Sequence, residues 1–596
     1  MTYETDKVSA GGERIDIIRV KQNGCSLTFG VAPCTATGVA CCNSWETCKD
    51  PNNYADTDKW FQFCTPVSKM PAGMGLIPFI AKDGVSFDPA DLTPEDGIGK
   101  IGSGSVKFID APHDDVGIDP YVGTRGYSTL DRGTLWPRLR ARWPNWQGRI
   151  LEWYTGYLSF PFDLANLQKR TMVVEEITGF GGKYGVELKF ADPLQLADDK
   201  RAVWPRKSTG TLTNAMTDSE TPTTIDITTS DTDEYDLEDY ETVGCVAMKE
   251  EVFQYTGTTI VTGGIRLTGV TRSAPYPYET EQVSHEAGDE VQKCAYFDDL
   301  PAPTILGKLL ILGAGADPAW VPYATTWQTL YSTWLGSLTI TRLITQPEGV
   351  RSLLTEVLTQ SSGWGLWWDD VNEVFGYEIY RPAALGESVT TITDGSNVVE
   401  NSITISDDSA RLLNYVTMRF GQVDPTKPKD DVSNYAMSVV SLDLSSISER
   451  EVGGERIREV FANWHPESTS SLVGRLGDRL VTARASIPFV VTFEVMRKDD
   501  ALRTGQFIDL TTTGLRDQYG NQRTLRMRVT KADYGKNLVR YTAREDFVSN
   551  RYGLIAPDSL AGVTWTTATA AQRATYVFIA DANGLMSDGS EGKRIF

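Results

Sequence analysis

Short runs of alternating apolar and polar residues dominate the chain and predict a structure built mainly from β-strands. Clusters of Gly, Asp, Asn and Pro separate these runs. Many short strands at this spacing favour barrels or sandwiches over a doubly wound sheet. The clearest predicted strands are residues 105–110, 187–190, 416–420, 489–495, 525–530 and 538–543.

Helical spacing of apolar residues is rarer. Residues 347–360 carry Val350, Leu353, Leu354 and Val357 on one face and end before Gly363. An aromatic run at 364–370 then predicts a strand. Two more helices are predicted, one at 457–464 that ends before Pro466 and one near 305–312. The Thr- and Asp-rich segment 217–241 contains an alternating Ile-Asp-Ile and predicts an edge hairpin of an inserted subdomain.

Composition narrows the function classes. The 596 residues are enough for three to five domains, and the net charge is −22, from 57 basic and 79 acidic residues. Such a balance argues against a dedicated nucleic-acid binder, which needs basic surface. It fits either ordinary solubility or a conduit that repels DNA. Only three histidines are present, so few metal ligands or catalytic bases are available for a His-based metalloenzyme or a Ser-His-Asp hydrolase.

No signal peptide or membrane-spanning segment is evident, so we expect synthesis in a reducing cytoplasm. In that setting the cysteines are conspicuous, because six of the eight lie between positions 25 and 64. Disulfides would need an oxidising compartment. Zinc sites usually carry pairs of cysteines separated by two to four residues, and no such pair occurs here. An iron–sulfur cluster accepts four thiolates at wide spacing. Spacing alone leaves all three explanations open.

The stretch CSLTFGVAPCTATGVACCNSWETCKDPNNY, residues 25–54, resembles a segment of the tail-tip proteins of long-tailed phages and prophages. The family cysteines fall on Cys25, Cys34, Cys41 and Cys48. Cys42 stands where the family usually has an aromatic residue, and Ser44 where Thr is common. Because relatives in lambda-like tails are known for an iron–sulfur cluster, the resemblance implies a [4Fe-4S] cluster on those four cysteines. Zinc is the lesser alternative, and Cys42 and Cys64 are the substitute ligands.

The resemblance continues along most of the chain, to about residue 559. The blocks SVKFIDAPHDDVGIDPY (105–121), WPRLRARWPNWQGRILEWYTGYL (136–158), LKFADPLQLADDKRAVWP (188–205) and SHEAGDEVQ (284–292) look like blocks of tail hub proteins, in the same order. This family includes the hubs of gene transfer agents. It is akin to the trimeric baseplate hubs of contractile tails, in which two barrel-like domains per chain build a pseudo-sixfold ring.

The resemblance implies a mainly β fold with some α (α+β), multidomain, with two barrel-like hub domains. The expected domains are a cysteine-cluster domain (1–70), a first hub barrel (71–205), an inserted β subdomain (206–298), an α/β subdomain (299–410), a second hub barrel (411–555) and a C-terminal segment (556–596). The implied role is structural and not enzymatic: a homotrimer at the tail tip of the virion, assembled in the host cytoplasm. The implied partners are the distal tail protein, the tape measure protein and a central fibre or spike. Phage DNA would pass through the lumen without specific binding, and contact with the host envelope would be indirect.

Three other signals have simpler explanations. The GIGKIG stretch at 97–102 matches a dinucleotide-binding pattern but follows no buried strand. His113, Asp114, Asp115 and Asp119 fit a tight turn better than a metal site. The Arg- and Trp-rich segment 138–149 favours a subunit interface over nucleic acid.

Asp369 and Asp370 supply the alternative function, a tail-associated cell-wall or polysaccharide hydrolase, although such an enzyme needs a partner carboxylate at a defined distance. An iron–sulfur oxidoreductase would need a second cofactor site, and the sequence offers none.

Overall fold

The computed structural model describes residues 12–71, 73–92, 97–179, 185–273, 275, 277–384, 387–448, 453–535 and 538–546, with short pieces at 554–555, 567–569, 572 and 576–577. Strands predominate over helices and form several separate sheets, so the mainly β, multidomain α+β prediction is confirmed. No described helix is both long and apolar enough to span a membrane. The segment predicted at 556–596 lies almost entirely outside the described residues.

The N-terminal region is a seven-stranded antiparallel sheet in the order β2-β1-β5-β6-β7-β4-β3. Its strands are β1 (Arg14–Cys25), β2 (Asp56–Cys64), β3 (Ile80–Asp88), β4 (Ser103–Phe108), β5 (Ile150–Tyr157), β6 (Gln168–Thr178) and β7 (Val186–Ala191). Alternation along β1 buries Ile18 and Val20 in one core and Ile15 and Ile17 in another.

The expected first barrel needs correction. Phe63 of β2 forms an isolated parallel bridge with Ile77, which precedes β3, and no sheet of the described chain closes into a barrel. The expected domain boundary at residue 70 also falls inside the sheet. Since β1 pairs along its length with β5, burial of Ile18 and Val20 ties the first 64 residues to the strands that follow.

The tryptophans of the Arg- and Trp-rich region lie in the core, so they are not exposed interface anchors in the single chain. This region contains helix α1 (Leu135–Arg142), whose Trp136 is fully buried. Trp143 and Trp146 are also buried and pack against Phe61, with ring centroids 4.8 and 5.8 Å away. Because tryptophans bury large areas, this segment stabilises one face of the sheet.

The next region contains ten short strands, most of them in two sheets with the orders β13-β14-β10-β9 and β15-β12-β11-β16-β17. The expected edge hairpin at 217–241 is wrong: β10 pairs with β9 on one side and β14 on the other, with Ile225 and Ile227 buried. The strands are β8 (Val203–Trp204), β9 (Thr211–Leu212), β10 (Thr224–Thr228), β11 (Gly244–Met248), β12 (Glu251–Tyr255), β13 (Gly257–Val261), β14 (Gly264–Thr268), β15 (Thr271–Arg272), β16 (Gln292–Leu300) and β17 (Ile340–Ile344).

A helical unit follows, and two of its helices occur where the sequence predicts them. Its elements are α2 (Ala302–Lys308), π-helical turns at Leu309–Gly313 and Tyr323–Trp327, α3 (Gln328–Leu335), β18 (Glu348–Gly349), α4 (Val350–Gln360), β19 (Gly363–Asp369) and β20 (Val374–Ile379). The predicted helix at 347–360 begins three residues late, because Glu348 and Gly349 pair with β8. The predicted strand at 364–370 is β19.

Two larger sheets follow, of six and three strands, in the orders β21-β27-β28-β29-β26-β22 and β24-β23-β25, and β30 pairs with β31 in a further two-stranded sheet. The expected boundary at 411 separates β21 and β22 from the six-stranded sheet to which they belong. The elements are β21 (Thr390–Thr393), β22 (Thr404–Asp407), β23 (Tyr415–Gln422), β24 (Tyr435–Leu442), α5 (Leu444–Ile447), β25 (Ile457–Ala462), α6 (Ser470–Arg484), β26 (Phe489–Met496), β27 (Phe507–Arg516), β28 (Gln522–Tyr534) and β29 (Leu538–Glu545), with β30 (Leu554–Ile555) and β31 (Tyr576–Val577) beyond them.

The predicted helix at 457–464 is wrong, because residues 457–462 form β25, which pairs in parallel with β23. Its residues alternate, with Val460 and Ala462 buried and Ile457 61% exposed. Helix α6 packs against the same sheet and was not predicted.

His465 follows this strand and is fully buried, with Nε2 donating to the Gln360 carbonyl at 2.7 Å. Burial lowers the pKa of His465 to about 4. The folded state therefore favours the neutral ring, and stability should fall as pH drops from about 6.5 towards 4. The expected loss is roughly 3 kcal/mol of unfolding free energy. Denaturant melts of the wild type and His465→Gln across this range test the assignment, since parallel pH profiles would exclude His465 as the cause.

Candidate metal centre in the cysteine loop

The candidate site is an insertion between two neighbouring strands of the first sheet. Residues 26–55, here called the cysteine loop, connect β1 to β2 and contain one 3₁₀ turn, Pro51–Asn53, as their regular structure. Cys25 ends β1, where it pairs with Asp56, the first residue of β2. The loop thus starts and ends at one fixed point of the sheet, although it has little core of its own.

Four cysteines of the loop region line one small cavity: Cys25, Cys34, Cys41 and Cys48. Each is partly buried, and each is a free thiol. Asn43, Ser44 and Tyr54 complete much of the wall. The four positions that the resemblance implies as ligands therefore face a common space, although they are separated by up to 23 residues of sequence.

The two substitute ligands lie elsewhere. The thiol of Cys42 accepts a hydrogen bond from Arg125 Nη2 at 3.3 Å and lies 4.0 Å from an Asp119 carboxylate oxygen. Cys64 is fully buried at the end of β2, opposite Ile17 in the strand ladder. Neither residue lines the cavity of the other four.

Two polar side chains give the loop its shape. Asn43 has a positive φ of 54° and donates from Nδ2 to the carbonyls of Cys25 and Leu27, at 3.0 and 3.2 Å. Asp50 accepts from the backbone N–H of Thr35 at 2.6 Å and from its hydroxyl at 2.9 Å. Asp50 thereby joins the segment after Cys34 to the segment after Cys48.

Arg125 holds the loop from outside. Its guanidinium donates to the carbonyls of Ala40 and Cys41, at 2.6 and 2.8 Å, and pairs with Asp119 at 2.8 Å. Both charged side chains of the pair are nearly or fully buried. Since charge-assisted hydrogen bonds are among the stronger ones, this pair fixes the Cys41 end of the loop against the segment after β4.

The cavity disfavours the negatively charged forms of Cys41 and Tyr54 unless a cation occupies it. Burial raises the pKa of Cys41, the backbone N–H of Asn43 lowers it, and the thiols of Cys48, Cys25 and Cys34 raise it further. Burial, the thiols of Cys25, Cys48 and Cys41 and the charge of Asp56 raise the pKa of Tyr54 to about 12. A cation that binds thiolates would relieve this penalty, as metals do when they displace thiol protons.

The four thiols have the ligand chemistry of an iron–sulfur cluster, and the cavity between them is about 10 Å³ in this structure. Four thiols face one cavity, and the backbone N–H of Asp50 donates to Cys48 Sγ at 3.4 Å, the kind of bond that tunes cluster sulfurs. A single zinc ion, with Zn–S bonds of about 2.3 Å, would draw four sulfurs to within roughly 4 Å of one another. Within the described chain, no three Cys, His, Asp or Glu side chains are arranged to hold one metal ion.

The carboxylates near His113 build a turn. Asp115 is fully buried, has a positive φ of 60°, and pairs with Arg138 and Arg142 at 2.8 Å each. Its carbonyl accepts the N–H groups of Ile118 and Asp119. Burial raises the pKa of Asp115, but hydrogen bonds with His113 and Arg138 and the charge of Arg142 leave it lower than usual. These contacts match the turn that the sequence predicts.

Asp369 and Asp370 also have structural partners. Asp369 accepts the N–H groups of Val371 and Asn372 in the turn after β19, and Asp370 pairs with buried Arg170 at 3.1 Å. They share a cavity of about 40 Å³ with Asp192, whose pKa burial raises to about 7. That volume accommodates water molecules but no sugar ring.

The glycines of the 97–102 stretch serve close packing. A Cβ on Gly97 would meet the side chain of Leu358, and one on Gly99 would overlap the Asp91 carbonyl. No phosphate-binding helix opens after this stretch, since β4 follows at Ser103–Phe108. Small size at these positions is therefore explained without a ligand.

Comparison with known proteins gives partial similarity of fold. No protein-family model and no curated protein sequence matches the chain. The 43 kDa tail protein of prophage MuSo2 from Shewanella oneidensis aligns at 8% identity over 76% of this chain and 91% of that one, with a TM-score of 0.33. A chain of a native gene transfer agent virion aligns at 12% identity over 57% and 84%, with a TM-score of 0.29. Prophage tail protein gp18 of Listeria monocytogenes EGD-e aligns at 10% identity over 56% and 88%, with a TM-score of 0.21. Likeness at this level assigns no activity.

Proposed function

We propose that this chain is a structural protein of a long-tailed phage tail, placed at the tail tip, with an iron–sulfur cluster in its cysteine loop. The observation that carries the proposal is the convergence of Cys25, Cys34, Cys41 and Cys48 on one cavity. These are the positions on which the tail-tip cysteine pattern falls. Cys42, which stands where that pattern usually has an aromatic residue, faces Arg125 instead.

In this proposal the four cysteines hold a [4Fe-4S] cluster, which when bound supplies iron–thiolate bonds that cross-link the loop. The chain's own residues do the rest. Asn43 and Asp50 shape the loop, and Arg125 fastens it to the sheet. Metal binding then contributes folding energy to a segment that has little core of its own.

The hub role follows from the ordered resemblance. Three chains form a ring that joins the distal tail protein to a central fibre, the tape measure protein leaves through the ring, and DNA follows without specific binding. The net charge of −22 suits such a passage because it repels phosphate. Assembly also needs apolar contact surface, and Val440, Leu442 and Ile457 are exposed on the face of the three-stranded sheet opposite α6.

Gold labelling of an epitope-tagged chain in purified phage particles tests the location. We expect label at the tail end distant from the capsid. Absence of the chain from particles, or label along the tail tube, would contradict the proposal. The competing hydrolase function predicts turnover of cell-wall or capsular polysaccharide that Asp370→Asn abolishes, whereas the structural role predicts no turnover by either protein.

A further inference from the structure

A second cavity lies between the cysteine loop and the segment that follows α1. It is a cleft of about 300 Å³, within the range of small-molecule sites. Trp45 and Glu46 of the loop line one side, and residues 142–145 with Arg149 line the other. Gln22 and Asn23 of β1 complete it. None of these residues lines the cysteine cavity.

The walls of this cleft are held in place by hydrogen bonds. Trp143 Nε1 donates to the Asn23 carbonyl at 2.9 Å, and Arg149 Nη1 donates to Asn23 Oδ1 at 3.0 Å. Gln22 Nε2 donates to the Asn145 carbonyl at 3.2 Å. A ligand would therefore meet a preformed surface and would pay little ordering entropy.

Other groups in the cleft are free to bind. The side chains of Glu46, Asp56 and Asn145 are exposed and make no hydrogen bond to any described residue. Trp45 is 60% exposed, and every other tryptophan in the described ranges is at least partly buried. The Trp45 ring makes an edge-to-face contact with Tyr54, at 5.0 Å between ring centroids. The cleft thus offers an exposed aromatic face beside carboxylate and amide groups.

The free charges of the cleft are mainly acidic. Arg142 is paired with buried Asp115, so Arg149 alone opposes Glu46 and Asp56, and the lining disfavours an anion. Carboxylate, amide and guanidinium groups hydrogen-bond to hydroxyls in pairs, and an indole face packs against the C–H face of a ring. We propose that this cleft binds a neutral oligosaccharide, with Trp45 as the stacking platform and Glu46, Asp56 and Asn145 as hydroxyl partners.

Saturation-transfer NMR on the full chain tests this, with maltotriose, cellotriose, chitotriose and mannotriose as probes at millimolar concentration. We expect binding of at least one of these sugars. Trp45→Ala should weaken that binding by about tenfold or more, as loss of a buried aromatic anchor does. Asn145→Ala should weaken it less, because it removes one hydrogen-bonding partner.

Tyr519→Ala is the matched control, because Tyr519 is 81% exposed on the β27–β28 hairpin and lines no part of the cleft. It should bind sugar like the wild type. Absence of binding by all four sugars would overturn the proposal and favour a protein segment as the occupant. Equal binding by Trp45→Ala and the wild type would overturn it too. Iron content is measured on the same samples, so failure of the cluster and failure of the sugar site are separate results.

Discussion

Replacement of Cys34 with serine should remove most of the iron from the protein, whereas replacement of Cys42 should leave the iron content unchanged. Cys34 lines the cavity with three other thiols, and a serine hydroxyl is a poor substitute for a thiolate. Cys42 lies next to a proposed ligand in sequence, but its thiol contacts Arg125. The two variants therefore separate membership of the cavity from mere proximity in the sequence.

Loss of the cluster should also expose the loop to proteases. Lys49 is the one lysine or arginine within residues 26–55, and its Nζ donates to the Val39 carbonyl at 2.7 Å across the loop. Trypsin should cut after Lys49 in Cys34→Ser and spare the site in Cys42→Ser. Equal iron loss in the two variants, or full iron in Cys34→Ser, would show that the ligand assignment is wrong.

Replacement of Asp115 with asparagine should lower the free energy of unfolding by about 3–5 kcal/mol, since it leaves two largely buried guanidinium groups without their counter-ion. Arg138 and Arg142 are 12% and 9% exposed at their side chains, and Asp115 is fully buried. The same turn positions Asp119, which pairs with Arg125 at the cysteine loop. We therefore expect trypsin cleavage after Lys49 to accelerate as well.

Asp114→Asn is the matched control for this prediction. The Asp114 side chain is 59% exposed, and its carboxylate accepts the Val116 N–H at 3.0 Å. A surface change of this kind should cost less than about 0.5 kcal/mol. Denaturant unfolding measures both variants. Similar small losses for the two would mean that the Asp115 pairs contribute little.

Alternation of apolar and polar residues predicts the strands of this chain reliably. All six strands predicted from alternation exist, and their apolar positions face a core, although in β28 the alternate residues Arg528 and Thr530 are buried as well. The helix predicted at 457–464 is wrong for a related reason. Ile457, Val460 and Phe461 fit helical spacing, but the segment pairs in parallel with β23, and in that strand only Val460 and Ala462 face inward.

Helix α6 was missed because glycines interrupt its apolar stripe. A Cβ on Gly477 would lie 2.6 Å from the Ser441 hydroxyl, so close packing against the sheet requires glycine there. Glycine lowers helix propensity, and the local pattern is therefore weak. Tertiary contact, and not local preference, determines this helix.

At the candidate site, the sequence predicts the four cysteines but not the contacts that hold the cysteine loop in shape. Asn43 and Asp50 lie within the recognised cysteine pattern, yet only the fold shows which backbone groups they bind. No sequence pattern identifies Arg125 as a contact of the loop, since it lies far from the loop in sequence and isolated arginines are common in proteins. Its contact with the Cys41 carbonyl depends on how the segment after β4 folds back.

The most direct test of the central claim is anaerobic purification of the full chain, followed by an absorption spectrum and assays of iron, acid-labile sulfide and zinc. If the cysteine loop holds a [4Fe-4S] cluster, the purified protein is brown and contains about four irons and four sulfides per chain. A colourless protein with one zinc per chain and no sulfide would contradict it.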